Sequence, residues 1–148
     1  MITPDTIAHA RLENQHLLHP QLLSPQDLVT WLLAVQAQDY LAAKWALGQR
    51  LLHATEKEIE RAFNEGSILR THIMRPTWHF VAPQDIRWLL ALTSARVHAA
   101  NAAMYRKLEL SDPLLSRCHT VLSQALMAGR HLTRAQLGQC LNESGIVC

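Results

Sequence analysis

"RTHIMRPTWHF", residues 70–80, sets two arginines, two histidines and a tryptophan around one proline. Residues 68–73 and 77–81 are rich in β-branched and aromatic side chains, lie between Gly66 and Pro83, and are separated by three residues, the pattern of a β-hairpin. Side chains alternate along a strand, so Arg75, Thr77 and His79 are expected on one face and Pro76, Trp78 and Phe80 on the other. On the first strand Arg70 and His72 alternate with Leu69, Thr71 and Ile73. The expected hairpin has an apolar face, with Trp78 and Phe80 in the core, and a polar face of Arg70, His72, Arg75, Thr77 and His79. Pro76 cannot donate to a ladder and marks a strand start or edge.

The chain around the hairpin reads as helical. Thr3 before Pro4, Ser24 before Pro25, Thr55 with Glu58, Ser111-Asp112 before Pro113, and Thr133 with Gln136 are N-caps with an N1 proline or a capping-box partner. Gly66, Gly129 and Gly145 stand where helices should stop. These signals predict helices near 4–16, 25–36, 40–52, 55–64, 83–107, 112–128 and 134–143, with Trp31, Trp45 and Trp88 in the core. The fold class is mainly α with a small β-hairpin, and helices leading into a basic hairpin are the ground plan of a winged helix. The stretch from Thr133 echoes that from Thr55: a threonine, apolar residues four and eight positions on, then Asn-Glu. The expected organisation is a first winged-helix module over 1–110 and the start of a second over 111–148, cut off at Cys148.

Charge narrows the partner. The 148 residues carry a formal +2, but residues 67–107 hold Arg70, Arg75, Arg87, Arg96, Arg106 and Lys107 against Asp85 alone, a local +5. Arg-rich basicity suits the oxygens of a phosphate-bearing partner, which the guanidinium fork meets two at a time, and a solvated helix face is the alternative reading. No apolar run reaches the roughly 18 residues that a membrane span needs, and the first twenty residues carry Asp5, Arg11 and Glu13 where a signal peptide would be apolar. A cytoplasmic protein without membrane association is expected. Cys118, Cys140 and Cys148 have neither disulfide-framework nor zinc-knuckle spacing. His72 and His79 have no third ligand nearby in sequence, so neither metal nor cofactor is expected.

"VQAQD" at 35–39, "WALGQR" at 45–50 and "ILRTHIMRPTWHFVAPQDIRWLLALTSARV" at 68–97 resemble the N-terminal part of the winged-helix DNA-binding family that contains the AlkZ-like DNA glycosylases. The resemblance runs from about residue 8 to the end and implies tandem winged helices in a protein more than twice this length. Gln36-Ala37-Gln38 matches that family's Gln-hydrophobic-Gln motif. The match implies hydrolysis of the N-glycosidic bond of alkylated or crosslinked purines, with the two glutamines at the catalytic water and the sugar.

The physics permits such a site. An N7-alkylated purine is cationic and already a good leaving group, so placing a water and sheltering an oxocarbenium-like sugar suffices. The spacing sets a condition, because residues i and i+2 of one helix point about 200° apart. Gln36 and Gln38 can face one pocket only if the helix breaks between them. Asp39, an N-cap candidate for the next helix, supports such a break and is also a candidate general base. Gln36 also extends the apolar row Leu28, Val29, Leu32 and Leu33, where it would be a buried amide. The candidate catalytic residues are Gln36, Gln38 and Asp39; the candidate DNA-contacting residues are Arg70, His72, Arg75, Thr77 and His79. Two functions stand: a DNA glycosylase for alkylated bases, and a non-catalytic winged-helix DNA-binding or regulatory protein on the same scaffold.

Overall fold

A computed structural model describes residues 2–22, 24–74 and 77–147. The roles expected of Arg75, Pro76 and Cys148 fall outside these. The described elements are α1 (Pro4–Asn14), α2 (Pro25–Leu32), β1 (Ala34–Gln36), α3 (Tyr40–Gly48), α4 (Glu56–Asn64), β2 (Leu69–Ile73), β3 (Thr77–Val81), α5 (Ile86–Lys107), α6 (Asp112–Ala125) and α7 (Arg134–Glu143). None of these helices is long and apolar enough to cross a membrane.

The caps act where the sequence places them. Thr3 and Ser24 accept from the backbone N–H of Thr6 and Asp27, and Thr55 and Thr133 close capping boxes with Glu58 and Gln136. Ser111 stands at the N-cap of α6 but makes no side-chain cap bond. Gly66, Gly129 and Gly145 all take positive φ, the conformation that ends a helix with least strain in glycine.

The largest correction concerns the helix expected over 25–36. Helix α2 stops at Leu32, Leu33 turns the chain at φ +66°, and Ala34–Gln36 becomes a strand. The sheet therefore has three antiparallel strands in the order β1-β3-β2, not two. Val35, Gln36, Ala37 and Gln38 alternate apolar and polar with period two, which is a strand signal that the helical row in front of it obscures.

Register corrects the expected polar face. Ile73 pairs with Thr77 across the three-residue connection, which places Thr71 opposite His79, His72 opposite Trp78 and Arg70 opposite Phe80. Directly opposed residues share a face. Arg70 and His72 thus lie with Trp78, Phe80 and Val35, whereas Thr77 and His79 lie with Leu69, Thr71, Ile73, Val81 and Gln36. The side chains expected on one basic face are divided between the two sides of the sheet. His72 and His79, on opposite sides, have no common point at which to bind a metal.

Contacts divide the chain into two compact units, residues 1–98 and 99–148. In the first, one face of the sheet supplies Phe80 to a core built from Leu28, Val29, Ala43, Leu47 and Ile59 of the helices, and Tyr40 and Phe63 meet the Phe80 ring at 6.0 and 6.3 Å. The other face supplies Ile73 and Val81, which pack with Leu89 and Ile86 of α5. In the second unit α6 packs against α7, and the Arg117 guanidinium donates to the Ser144 carbonyl. The expectation for three tryptophans fails: Trp31, Trp45 and Trp88 are 61%, 67% and 44% exposed. Trp78 and Phe80 do share the core-facing side, and Phe80 is fully buried. Replacing Phe80 with alanine is expected to cost about 3–5 kcal/mol by chemical denaturation, because it opens a cavity beneath the sheet that rigid neighbours cannot fill. A loss under about 1 kcal/mol would show that this cluster does not support the fold.

Candidate functional site

Strand β1 solves the spacing problem of the two glutamines. The Ala37 N–H donates to the Trp78 carbonyl at 2.8 Å, so pairing continues past the end of β1, and an exposed Gln36 and Gln38 flank a fully buried Ala37. An extended chain sends alternate residues to the same side, which a helix at this position could not do. Gln36 is accordingly not the buried amide of an apolar helical row. The Gln38 side-chain oxygen accepts from the Trp78 N–H at 3.3 Å, standing in for a strand carbonyl where β1 has ended. Asp39 caps α3, its carboxylate accepting the Ala42 N–H at 3.0 Å.

Behind this segment sits Arg70. Its Nε and Nη2 both donate to the Ala37 carbonyl, at 3.0 and 2.9 Å, and Nη2 reaches the Gln38 carbonyl at 3.4 Å. The guanidinium lies over the Trp78 ring at 4.4 Å and over the Tyr40 ring at 5.5 Å. One edge of the guanidinium, Nε with Nη2, and its π face are engaged inside the chain. His72, exposed on the same face, packs against the Trp78 ring with centroids 3.8 Å apart and the planes tilted by 38°.

Tyr40 is held in turn. Its hydroxyl donates to Glu60 at 3.0 Å, and Lys44, only 7% exposed at its side chain, donates to Glu60 at 2.7 Å and to Glu56 at 2.8 Å. Burial, then the bond to Glu60, pushes the Tyr40 hydroxyl above its ordinary pKa; the Lys44 ammonium and then the Tyr40 hydroxyl hold Glu60 below the usual carboxylate range. Hydrogen bonds to Glu56 and Glu60 raise Lys44. The sequence signal for this cluster is a lone lysine inside the apolar "YLAAKWALG" of α3, facing the acidic start of α4, "EKEIERAFN".

On the opposite side of the sheet a second arrangement forms. One row across the strands is apolar, Ala34-Val81-Leu69, and the next is polar, Gln36-His79-Thr71. His79 Nδ1 lies 2.9 Å from the Thr77 carbonyl. The structure thus brings Gln36 and His79 together across one strand pair, places Gln38, Asp39 and Arg70 along the same segment, and leaves His72 on the other face.

Two measurements follow from this shell. Glu60 has a lowered folded pKa, so its contribution to stability is full above the ordinary carboxylate range and is lost as pH falls through the folded value. Lys44 has a raised one, so its contribution is full below the ordinary lysine range and is lost only at higher pH. Lys44→Met is expected to be less stable than the parent at pH 7, and the gap should narrow at pH 3, measured by denaturant midpoints; an equal gap at both pH values would remove the ion cluster from the account. Arg70→Ala leaves the Ala37 carbonyl without its charged partner, at a cost on the order of 1–3 kcal/mol, and should speed amide hydrogen exchange over 36–39. Arg70→Lys keeps the charge but not the fork and should recover little. Unchanged exchange in Arg70→Ala would show that the segment is held by other means.

Comparison with known proteins places this geometry. Residues 29–146 match the family model described as DNA glycosylase AlkZ-like. No curated protein matches the chain. Among solved structures the Streptomyces sahachiroi DNA glycosylase AlkZ superposes with a TM-score of 0.74 at 23% sequence identity, over 88% of this chain and 35% of that one. The chain therefore spans about a third of the length of that relative. That likeness supports a winged-helix-like fold, and with the family model matching most of its length, the chain belongs to the AlkZ-like DNA glycosylase family.

Proposed function

We propose that this chain carries the catalytic segment of a monofunctional DNA glycosylase, which hydrolyses the N-glycosidic bond of alkylated or crosslinked purines. The observation that carries the reading is the presentation of Gln36 and Gln38: two exposed amides on either side of a buried Ala37, in an extended segment fixed from behind by Arg70. Amides orient water and sugar oxygens without adding charge, which suits a reaction whose substrate is a cationic base and whose transition state is a cationic sugar. Asp39 contributes by fixing the start of α3 and so the end of the segment; the general-base role considered for it competes with this cap.

DNA would approach over the side of the sheet that bears Gln36, Thr71, Thr77 and His79. The exposed Arg87 and Arg96 of α5 are basic residues of the first unit available to phosphates, whereas the Nε–Nη2 edge of Arg70 is engaged with the Ala37 carbonyl. The bond from the Trp78 N–H to Gln38 favours a second reading: with that amide serving the sheet, the chain would be a non-catalytic DNA-binding module on the same scaffold.

Base release from N7-methylguanine duplex separates the two. Gln36→Ala and Gln38→Ala should each slow release by on the order of a hundredfold, equivalent to about 3 kcal/mol of transition-state stabilisation, with duplex affinity nearly unchanged and thermal stability as the control. Full activity in a stable Gln36→Ala protein would remove the motif from the chemistry. Binding without release by the unmutated protein on any alkylated duplex would establish the second reading.

A further inference from the structure

Among the described strand residues, the polar row Gln36-His79-Thr71 contains the one titratable side chain on the glutamine-bearing face. The Thr77 carbonyl can only accept, so the His79 nitrogen 2.9 Å from it, Nδ1, carries hydrogen. In the neutral ring this fixes the tautomer and leaves Nε2 as a lone-pair acceptor. His79 has no other side-chain hydrogen bond among the described residues, and the Gln36 side-chain amide has none. The two are directly opposed across an antiparallel pair, where Cβ atoms stand about 4.5–5.5 Å apart. A water bridging them would give one hydrogen to the Gln36 oxygen and the other to Nε2.

We propose that His79 is a catalytic residue, the group that takes the proton of the attacking water. The inference rests on the glycosylase reading and adds a residue to it. In the step, the water oxygen forms a bond to C1′ of the sugar while one of its protons passes to His79 Nε2. The bond from C1′ to N9 of the purine breaks, and its electron pair neutralises the cationic ring, which leaves as the free base. The imidazolium then returns its proton to solvent. Gln36 holds the water in place, and the bond to the Thr77 carbonyl holds the ring so that Nε2 is the nitrogen presented.

Protonated His79 has no lone pair at Nε2, so the rate should fall on acidification. The groups around it leave this dependence legible. Strand β1 presents the neutral Gln36, β2 presents Thr71 and β3 presents Thr77. Asp39 follows β1 and is committed to the α3 cap. Helix α5, which covers the apolar row through Ile86 and Leu89, carries Arg87, Arg96 and His98, and Asp85 just before it accepts the indole N–H of Trp88.

The test is single-turnover release of N7-methylguanine from duplex DNA, as a function of pH, by the unmutated protein, His79→Asn and His79→Gln. Asparagine can keep the donor to the Thr77 carbonyl but has nothing at the Nε2 position; glutamine can place a group near that position but does not titrate. The expected result is an acid limb in the parent that disappears in both variants. His79→Asn should be slower by on the order of a hundredfold at neutral pH, with duplex affinity and melting temperature close to the parent. Rescue by asparagine would assign His79 a structural part through Thr77 and overturn the proposal. A fall in affinity equal to the fall in rate would make His79 a DNA contact and also overturn it. If either variant fails to fold, an acid limb missing from the parent's profile overturns it and one that is present supports it. A parent protein that releases no base would sink the glycosylase reading together with this one, whereas an active parent and an equally active His79→Asn would sink this one alone.

Discussion

Two hydrogen bonds from Arg70 to one carbonyl hold the Gln-Ala-Gln segment in place. Ala37 is fully buried, so its carbonyl must find a partner inside the protein, and the neighbouring strand supplies one only to its N–H. Arg70 satisfies it twice from β2, across the width of the sheet. That grip lets the chain stay extended through Gln38 although β1 proper ends at Gln36, and it keeps both glutamines on the side of the sheet opposite Phe80.

The grip is itself supported from a distance. The guanidinium rests over Tyr40, whose hydroxyl is fixed by Glu60, which is fixed by the nearly buried Lys44. Lys44 is nearly buried, but Glu56 and Glu60 are 72% and 40% exposed at their side chains, so solvent screens both pairs and removing one carboxylate costs less than breaking a fully buried pair. Helices α3 and α4 nonetheless determine the geometry of a segment they do not contain. The site is positioned by a connected set of charges and rings, with Phe80 filling the space beneath.

Much of this was legible from sequence, and the failures have physical causes. Caps at Thr3, Ser24, Thr55 and Thr133 are local, so the residues that form them are read directly. The hairpin is also local, and its three-residue connection already implies that Ile73 pairs with Thr77, which carries the parity placing Arg70 with Phe80. Grouping the polar residues by type rather than by that parity produces a basic face that does not exist. Strand β1 was obscured for a different reason: four residues of period-two alternation follow an apolar helical row without a glycine or proline between them, and only pairing with β3 decides the outcome. Arg70's role could not be read at all, because its partner is a backbone carbonyl 33 positions away.

The division of the two faces has an electrostatic consequence for the proposed chemistry. A cationic substrate going to a cationic transition state is repelled in both states by a guanidinium beside the reacting carbon, and at short range such a charge would weaken binding by several kcal/mol at an effective dielectric near 20. Arg70 stands on the Phe80 side of the sheet, its Nε and Nη2 directed to backbone carbonyls and its π face against Trp78 and Tyr40. Gln36, Thr71 and His79, which are neutral or able to be neutral, stand on the other side. The sheet thus uses a strong cation to hold the backbone while keeping it off the surface where positive charge would develop, and the register of β2 on β3 decides which side chain falls on which face.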